Sequence, residues 1–263
     1  MKFKAMINLV KAQKVAEEAV LKAGQYQKDQ FLKKHSSWDK ANQNINIKED
    51  LVSEKIITDI LRKEFPKHRI YSEEAGYLGN KKSDYLWIVD PLDGTTNYFL
   101  NLPLFCTQLA LTYNKKLLLS VIYQPLLKTM LSSIKNQGAR LNNKKVSVTK
   151  TKSLKKSIIS FERGYYAKNK NWIPQMIRRF APLCRKYRLM SCAGLDFFSV
   201  ACGMTDGSVF YGASVYDTTP GVLAVKEAGG VVTDEKGSEW NFDSQFMVAS
   251  NGKIHKKLLK LLN

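Results

Sequence analysis

Apolar residues recur at helical spacing across residues 7–34, at Ile7, Val10, Val15, Ala19 and Phe31, with few breakers between them, and this predicts a long first helix. Residues 43–47 alternate as a short strand does. From Asp50 to Glu64 the residues Val52, Ile56, Ile57, Ile60 and Leu61 make one helical face, and Pro66 ends the segment. A short strand follows from Tyr85 to Val89 and stops at Asp90. The apolar runs Phe105 to Tyr113 and Leu117 to Tyr123 have strand length, and Asn114-Lys115-Lys116 joins them as a hairpin. Met130 to Ile134 adds a strand before Gly138 and the turn pair Asn142-Asn143.

The lysine- and serine-rich residues 144–157 form the expected seam between two domains, 1–150 and 151–263. Beyond it the pattern predicts a strand from Ile158 to Phe161 and helices from Trp172 to Phe180 and from Gly194 to Gly203. A strand from Gly207 to Tyr211 and a helix from Pro220 to Glu227 come next, closed by Gly229-Gly230. Strands Val231 to Thr233 and Phe246 to Ala249 then lead to a terminal helix from Lys253 to Leu262. Strands and helices mix in both halves, which argues for an α+β or layered α/β fold.

Composition adds exclusions. The chain has 263 residues, 44% of them hydrophobic, and no run near the roughly 18 apolar residues a membrane helix needs. The charged start has no apolar segment of secretory type, so a cytoplasmic protein with no membrane partner is expected. Cys106, Cys184, Cys192 and Cys202 show no CxxC spacing and read as reduced core thiols. His35, His68 and His255 each have basic neighbours and read as surface residues. The net charge of +19 has three readings: contact with nucleic-acid or membrane phosphates, steering of a small anion, or lysines that are simply solvated. Dispersal of the basic residues favours the last. The basic run from Lys253 to Lys260 reads as a solvated helix that packs Ile254, Leu258, Leu261 and Leu262 on the core.

Chemistry concentrates in the stretch WIVDPLDGTTNYF, residues 87–99. Asp90-Pro91-Leu92-Asp93-Gly94-Thr95 reads as a turn with Asp93 as a cap. The same turn also reads as two carboxylates brought to one side of a strand end, where Mg²⁺ takes hard oxygen ligands together with a phosphate. The N–H groups of Gly94 and Thr95 suit an anion in that second reading. Ser72-Glu73-Glu74 reads as a solvated loop or as a further carboxylate source, and Asp217, just before the helix predicted from Pro220, as an N-cap or a ligand.

The order and spacing of Ser72-Glu73-Glu74, WIVDPLDGTTN and Tyr216-Asp217 with LAVKEAGG downstream resemble the inositol monophosphatase family, the Mg²⁺-dependent, lithium-sensitive sugar-phosphate phosphatases. The resemblance runs from about Lys40 to Asn251, and Thr96-Asn97 favours the inositol monophosphatase branch. It implies an alternating αβαβα sandwich, with most metal ligands in residues 1–150 and Asp217 supplied by residues 151–263. It further implies Glu73, Asp90 and the Leu92 carbonyl around a first Mg²⁺, and Asp90, Asp93 and Asp217 around a second, with two or three ions per site. Thr95 matches the residue that orients the attacking water, Asp50 its acidic partner, and Glu73 is a third catalytic residue. Asp93, Gly94, Thr95, Ala193 and Asp217 match substrate contacts, and Lys40 falls where the family carries a lysine near the metals.

The alcohol-binding part departs from the family pattern. Ser191-Cys192-Ala193-Gly194 replaces a glycine-Ser/Thr-alanine-alanine segment, and Phe210 stands near where an acid grips inositol hydroxyls. Tyr216 replaces a tryptophan, and Thr218-Thr219-Pro220 replaces smaller residues. The expected activity is hydrolysis of inositol monophosphate. Fructose 1,6-bisphosphate, histidinol phosphate, 3′-phosphoadenosine 5′-phosphate and NADP are alternative substrates, and a regulatory protein that binds RNA or RNA polymerase is an alternative role. The resemblance also implies a homodimer.

Overall fold

The computed structural model describes residues 7–35, 37–39 and 45–262. Lys40 lies outside these residues. Helix α1 (Leu9–Gln30) opens on Asn8, whose side chain accepts the Lys11 N–H at 3.0 Å. Its stripe Ala12, Val15, Ala16, Ala19, Val20 and Ala23 is buried. Strands β1 (Ser37–Asp39) and β2 (Ile45–Ile47) pair antiparallel ahead of α2 (Lys48–Glu64). Then come β3 (Arg69–Ser72), β4 (Gly76–Gly79), β5 (Tyr85–Asp93) and the short α3 (Thr95–Phe99). A meander follows through β6 (Cys106–Tyr113), β7 (Lys116–Gln124), β8 (Thr129–Ile134), β9 (Gly138–Leu141) and β10 (Lys144–Lys145). These strands form one eight-stranded sheet in the order β10-β9-β8-β7-β6-β5-β3-β4, with β3 and β5 parallel and the other pairs antiparallel.

The second sheet uses β11 (Ile158–Arg163), β12 (Lys186–Arg188), β13 (Gly207–Tyr211), β14 (Val231–Thr233) and β15 (Phe246–Ser250), in the order β12-β11-β13-β15-β14. Strands β12, β11 and β13 are parallel, and β15 runs against its neighbours. Helices α4 (Trp172–Phe180), α5 (Ala193–Ala201), α6 (Val215–Glu227) and α7 (His255–Leu262) connect and cover them.

Alternation along the strands sets the layers. Leu109, Leu111 and Val121 face the α1 stripe together with Ile57 and Leu61 of α2. Ile122, Leu131 and Cys106, on the other face, meet Leu195, Phe198, Val222 and Val225 of α5 and α6, and these helices also receive Phe210, Met247 and Ala249 of the second sheet. Val209 and Val248 point away from them, onto Trp172, Met176 and Phe180 of α4 and Leu258 of α7. The result is the alternating αβαβα sandwich, and its central helix layer draws its core from both halves of the chain.

Several expectations need correction. Strand β5 does not end at Asp90 but continues to Asp93, and its pairing with β6 is irregular between those residues. Pro91 has no N–H to give to a ladder and is tolerated at that irregularity. Helix α6 starts at Val215 rather than Pro220, because Ser214 and Asp217 form a capping box that nucleates it earlier. Strands β4, β10 and β12 are not among the expected elements: they are short edge strands, β10 and β12 are exposed throughout, and β4, bounded by two glycines, contributes only Leu78 to the core.

The histidines are not surface residues. His255 is only 6% exposed and bonds Ser250 and Thr233 at 2.8 and 2.9 Å. His68 stacks on Phe65 and Tyr85 and accepts the Trp87 indole N–H at 3.2 Å, while His35 lies 3.1 Å from Glu49. Each turns inward because a fixed polar partner waits there, which lysines adjacent in sequence do not reveal. All four cysteines are free thiols, with Cys106 and Cys192 buried. Among the described residues no helix is long and apolar enough to cross a membrane.

Candidate active site

The far end of β5 carries Asp90 and Asp93, and the first turn of α6 brings Asp217 beside them. Carboxylate oxygens of all three lie within 4.8 Å of one another. Asp90 is 1% exposed and Asp93 9%, and Asp90 Oδ1 has no hydrogen-bond partner among the described residues. Burial, then the charges of Asp93, Glu73 and Asp217, push the Asp90 carboxyl well above the usual carboxylate range. Burial and Asp217 raise Asp93 to about 7. Burial also raises Asp217 to about 6, against the stabilising N–H and hydroxyl of Ser214. A largely buried all-oxygen set of this kind, with an orphaned oxygen and no basic side chain among its hydrogen-bond partners in the described residues, fits hard divalent cations such as Mg²⁺.

Neighbouring groups hold the acids in place. The Gln108 amide nitrogen lies 3.3 Å from Asp90 Oδ2, 3.2 Å from Asp93 Oδ2 and 3.0 Å from the Asp217 carbonyl. The Gly194 N–H, in the first turn of α5, donates to Asp93 Oδ2. The Cys106 thiol sits 3.7 Å from the same oxygen, and the Cys106 and Cys192 sulfurs are 3.8 Å apart. Burial pushes the Cys106 thiol up to about 11.

Glu73 lies in the turn after β3 and lines the same cavity, of about 210 Å³, with Leu92, Gly94, Thr95 and Ala193. Glu54 of α2 positions that turn by accepting the N–H groups of Glu74 and Ala75 at 3.1 and 3.0 Å. The Thr95 hydroxyl is 3.3 Å from Asp50 Oδ1 and 2.9 Å from the Leu92 carbonyl. Gly94 caps α3 at φ 86°, where a Cβ would sit 2.7 Å from the Leu104 carbonyl oxygen. Only glycine suits both the left-handed backbone and that contact.

The structure therefore gathers Asp50, Glu73, Asp90, Leu92, Asp93, Gly94, Thr95, Ala193 and Asp217 around one cavity or its rim. Phe210 does not belong with them. It is fully buried and stacks on Phe197 with ring centroids 4.3 Å apart, because an aromatic side chain at that position fills the central core. Sequence reasoning missed Gln108, Gly194 and Glu162. The one signal for Gln108 was an amide inside the apolar run CTQLALTY; the other two depend on contacts across the fold.

Carboxylates that converge where the two sheets of a layered αβαβα protein meet make a site suited to a hard cation and a phosphate ester. The chain matches the sequence model of the inositol monophosphatase family over residues 7–263, and it belongs to that family of phosphatases. It is 33% identical over 213 residues to the Nus factor SuhB of Pasteurella multocida, covering 80% of this chain and 79% of that one. To the fructose-1,6-bisphosphatase/inositol-1-monophosphatase of Thermotoga maritima it is 34% identical over 214 residues, covering 81% and 80%. The solved inositol monophosphatase of Anabaena superposes with a TM-score of 0.86 at 32% identity, covering 97% of this chain and 96% of the other.

Proposed function

We propose that the chain hydrolyses a small anionic phosphomonoester, inositol monophosphate first among the candidates. The observation that carries this reading is the convergence of Asp90, Asp93 and Asp217 within 4.8 Å at a cavity that Thr95 and Glu73 also line. In this reading Glu73, Asp90 and the Leu92 carbonyl hold one Mg²⁺, and Asp90, Asp93 and Asp217 hold another. Bound there, Mg²⁺ acidifies a water and offsets negative charge on the phosphoryl and leaving oxygens. The N–H groups of Gly94 and Thr95 hold a phosphate oxygen. The Thr95 hydroxyl, tied to Asp50, orients the attacking water, and Asp50 with Glu73 provides the carboxylates that take up its proton. Asp217 and Ala193 face the alcohol. No nucleophilic side chain is required. Residues 1–150 then carry most of the acids and residues 151–263 supply Asp217, as two units sharing one site.

Within this chemistry fructose 1,6-bisphosphate, histidinol phosphate, 3′-phosphoadenosine 5′-phosphate and NADP remain alternative substrates. A second role, binding RNA or RNA polymerase, is supported by the net charge of +19 and by the Nus factor name of one relative. Lithium inhibition and a homodimer belong to the same reading.

Mg²⁺-dependent phosphate release across that panel, with Asp93→Asn beside the wild type and lithium in a parallel series, tests it. One ester turned over well and lost in the variant supports the proposal. No turnover of any ester at millimolar Mg²⁺ sinks it.

A further inference from the structure

We propose that Glu162 forms a donor-binding subsite for the alcohol part of the substrate, gripping a hydroxyl or ammonium hydrogen near the ester oxygen. The proposal rests on the phosphatase reading above and names what that site selects. Glu162 stands at the carboxyl end of β11, where the parallel strands β11 and β13 send their following loops over the cavity. The two strands are in register at Glu162 and Phe210, so both side chains leave the same face of the sheet. Phe210 turns into the core against Phe197, whereas Glu162 lines the cavity with Asp93 and Asp217.

One oxygen of Glu162 accepts the N–H of Arg163 at 3.1 Å. The other, Oε2, is buried and makes no well-formed hydrogen bond to a described residue, although the Cys192 backbone N–H is near enough to Glu162 to favour its charged form. A buried carboxyl oxygen left without a donor is costly, so a ligand that brings one gains an interaction water cannot easily supply. Beside it Asp196 of α5 is fully buried, and both of its carboxyl oxygens also lack a hydrogen-bond partner among the described residues, so this end of the cavity is rich in acceptors and short of donors. The phosphate group is thereby excluded from this end of the cavity and belongs at Gly94 and Thr95. The end that faces Glu162 is the alcohol. Of the described carboxylates lining the cavity, Glu73, Asp90, Asp93 and Asp217 are assigned to cations in the reading above, and Glu162 is the one left over.

Steady-state kinetics of the full chain at saturating Mg²⁺ test this with four esters. p-Nitrophenyl phosphate has no donor, inositol 1-phosphate and glycerol 2-phosphate offer hydroxyls, and histidinol phosphate offers an ammonium group. Glu162→Ala should lower kcat/KM about 10- to 100-fold on a donor-bearing ester, mainly through KM, and leave p-nitrophenyl phosphate within about twofold. Glu162→Asp should recover part of the loss. Glu162→Gln separates the donors: its amide oxygen still accepts from a hydroxyl, while the charge an ammonium group prefers is gone. Equal losses on all four esters, or a raised Mg²⁺ requirement on all of them, would overturn the subsite. So would unchanged kinetics on every donor-bearing ester while p-nitrophenyl phosphate is turned over. If the wild type hydrolyses none of these four and none of the panel above, the phosphatase reading itself fails; if it hydrolyses only donor-bearing esters of that panel and Glu162→Ala leaves them unchanged, the subsite alone fails.

Discussion

Asp93 on β5 accepts a hydrogen bond from the backbone N–H of Gly194 on α5, so an acid of the first sheet is held by a helix end from the other half of the chain. The contact places a negative group at a helix N-terminus, where the macrodipole favours it. A Cβ at Gly194 would meet Asp93 Oδ2 at 2.8 Å and the Cys106 sulfur at 2.7 Å. Gly194→Ala must therefore displace the carboxylate. We expect the Mg²⁺ concentration for half-maximal activity to rise about 10- to 100-fold, with about 1–3 kcal/mol of stability lost to overpacking. An Mg²⁺ titration of activity beside a thermal melt measures both, and an unchanged Mg²⁺ requirement would refute the positioning role.

Gln108 reaches three acidic residues with one amide. Gln108→Leu keeps the side-chain volume and removes the donor. Cation affinity should fall about 10- to 100-fold, while the metal-free protein stays within about 1 kcal/mol of the wild type, since the Gln108 oxygen is itself buried without a partner. Isothermal titration with Mg²⁺ and urea unfolding of the stripped protein separate the two effects.

Removal of divalent cations should leave the buried acids to repel one another. Protein stripped with a chelator should melt at a lower temperature, and Mg²⁺ at about 100 times its dissociation constant should restore about 2.7 kcal/mol. Asp90→Asn should abolish most of that increment. A melting temperature indifferent to Mg²⁺ in the wild type would contradict the metal assignment.

His255 supplies a pH dependence remote from the site. Burial lowers its pKa from the ordinary 6.5 to about 4. Between these values the unfolded chain binds a proton that the folded one does not, so stability is full above about 6.5 and declines as pH falls toward about 4. His68, also lowered to about 4 by burial, adds to the same decline. His255→Asn should flatten the stability profile over that window, as measured by denaturant unfolding at a series of pH values. An equally steep profile in the variant would assign the effect elsewhere.

Much of the site is local in sequence and was legible there. Asp90, Leu92, Asp93, Gly94 and Thr95 form one contiguous string, and its spacing alone restricts which side chains share a strand end. Glu73 and Asp217 were legible through the order of their motifs. Helices such as α4 and strands such as β13 and β14 followed from periodicity, because each buries one face. The starts and ends that were misread, at Asp90 and Pro220, share a cause. Both proline-marked boundaries were overruled by partners distant in sequence or by a cap.

By itself, then, the sequence determined the alternation of elements, the inventory of acids and the family to which the chain belongs, since these depend on short-range spacing and residue type. Only the tertiary structure decided that Gly194 and Gln108 hold those acids, that Phe210 faces the core, and that Glu162 faces the cavity. Those outcomes depend on which strand lies beside which and in what register: β11 against β13 turns Phe210 and Glu162 to the same face, and packing against α5 then separates their roles. Register between segments roughly 48 residues apart is set by the packing of the whole core, and no local pattern encodes it.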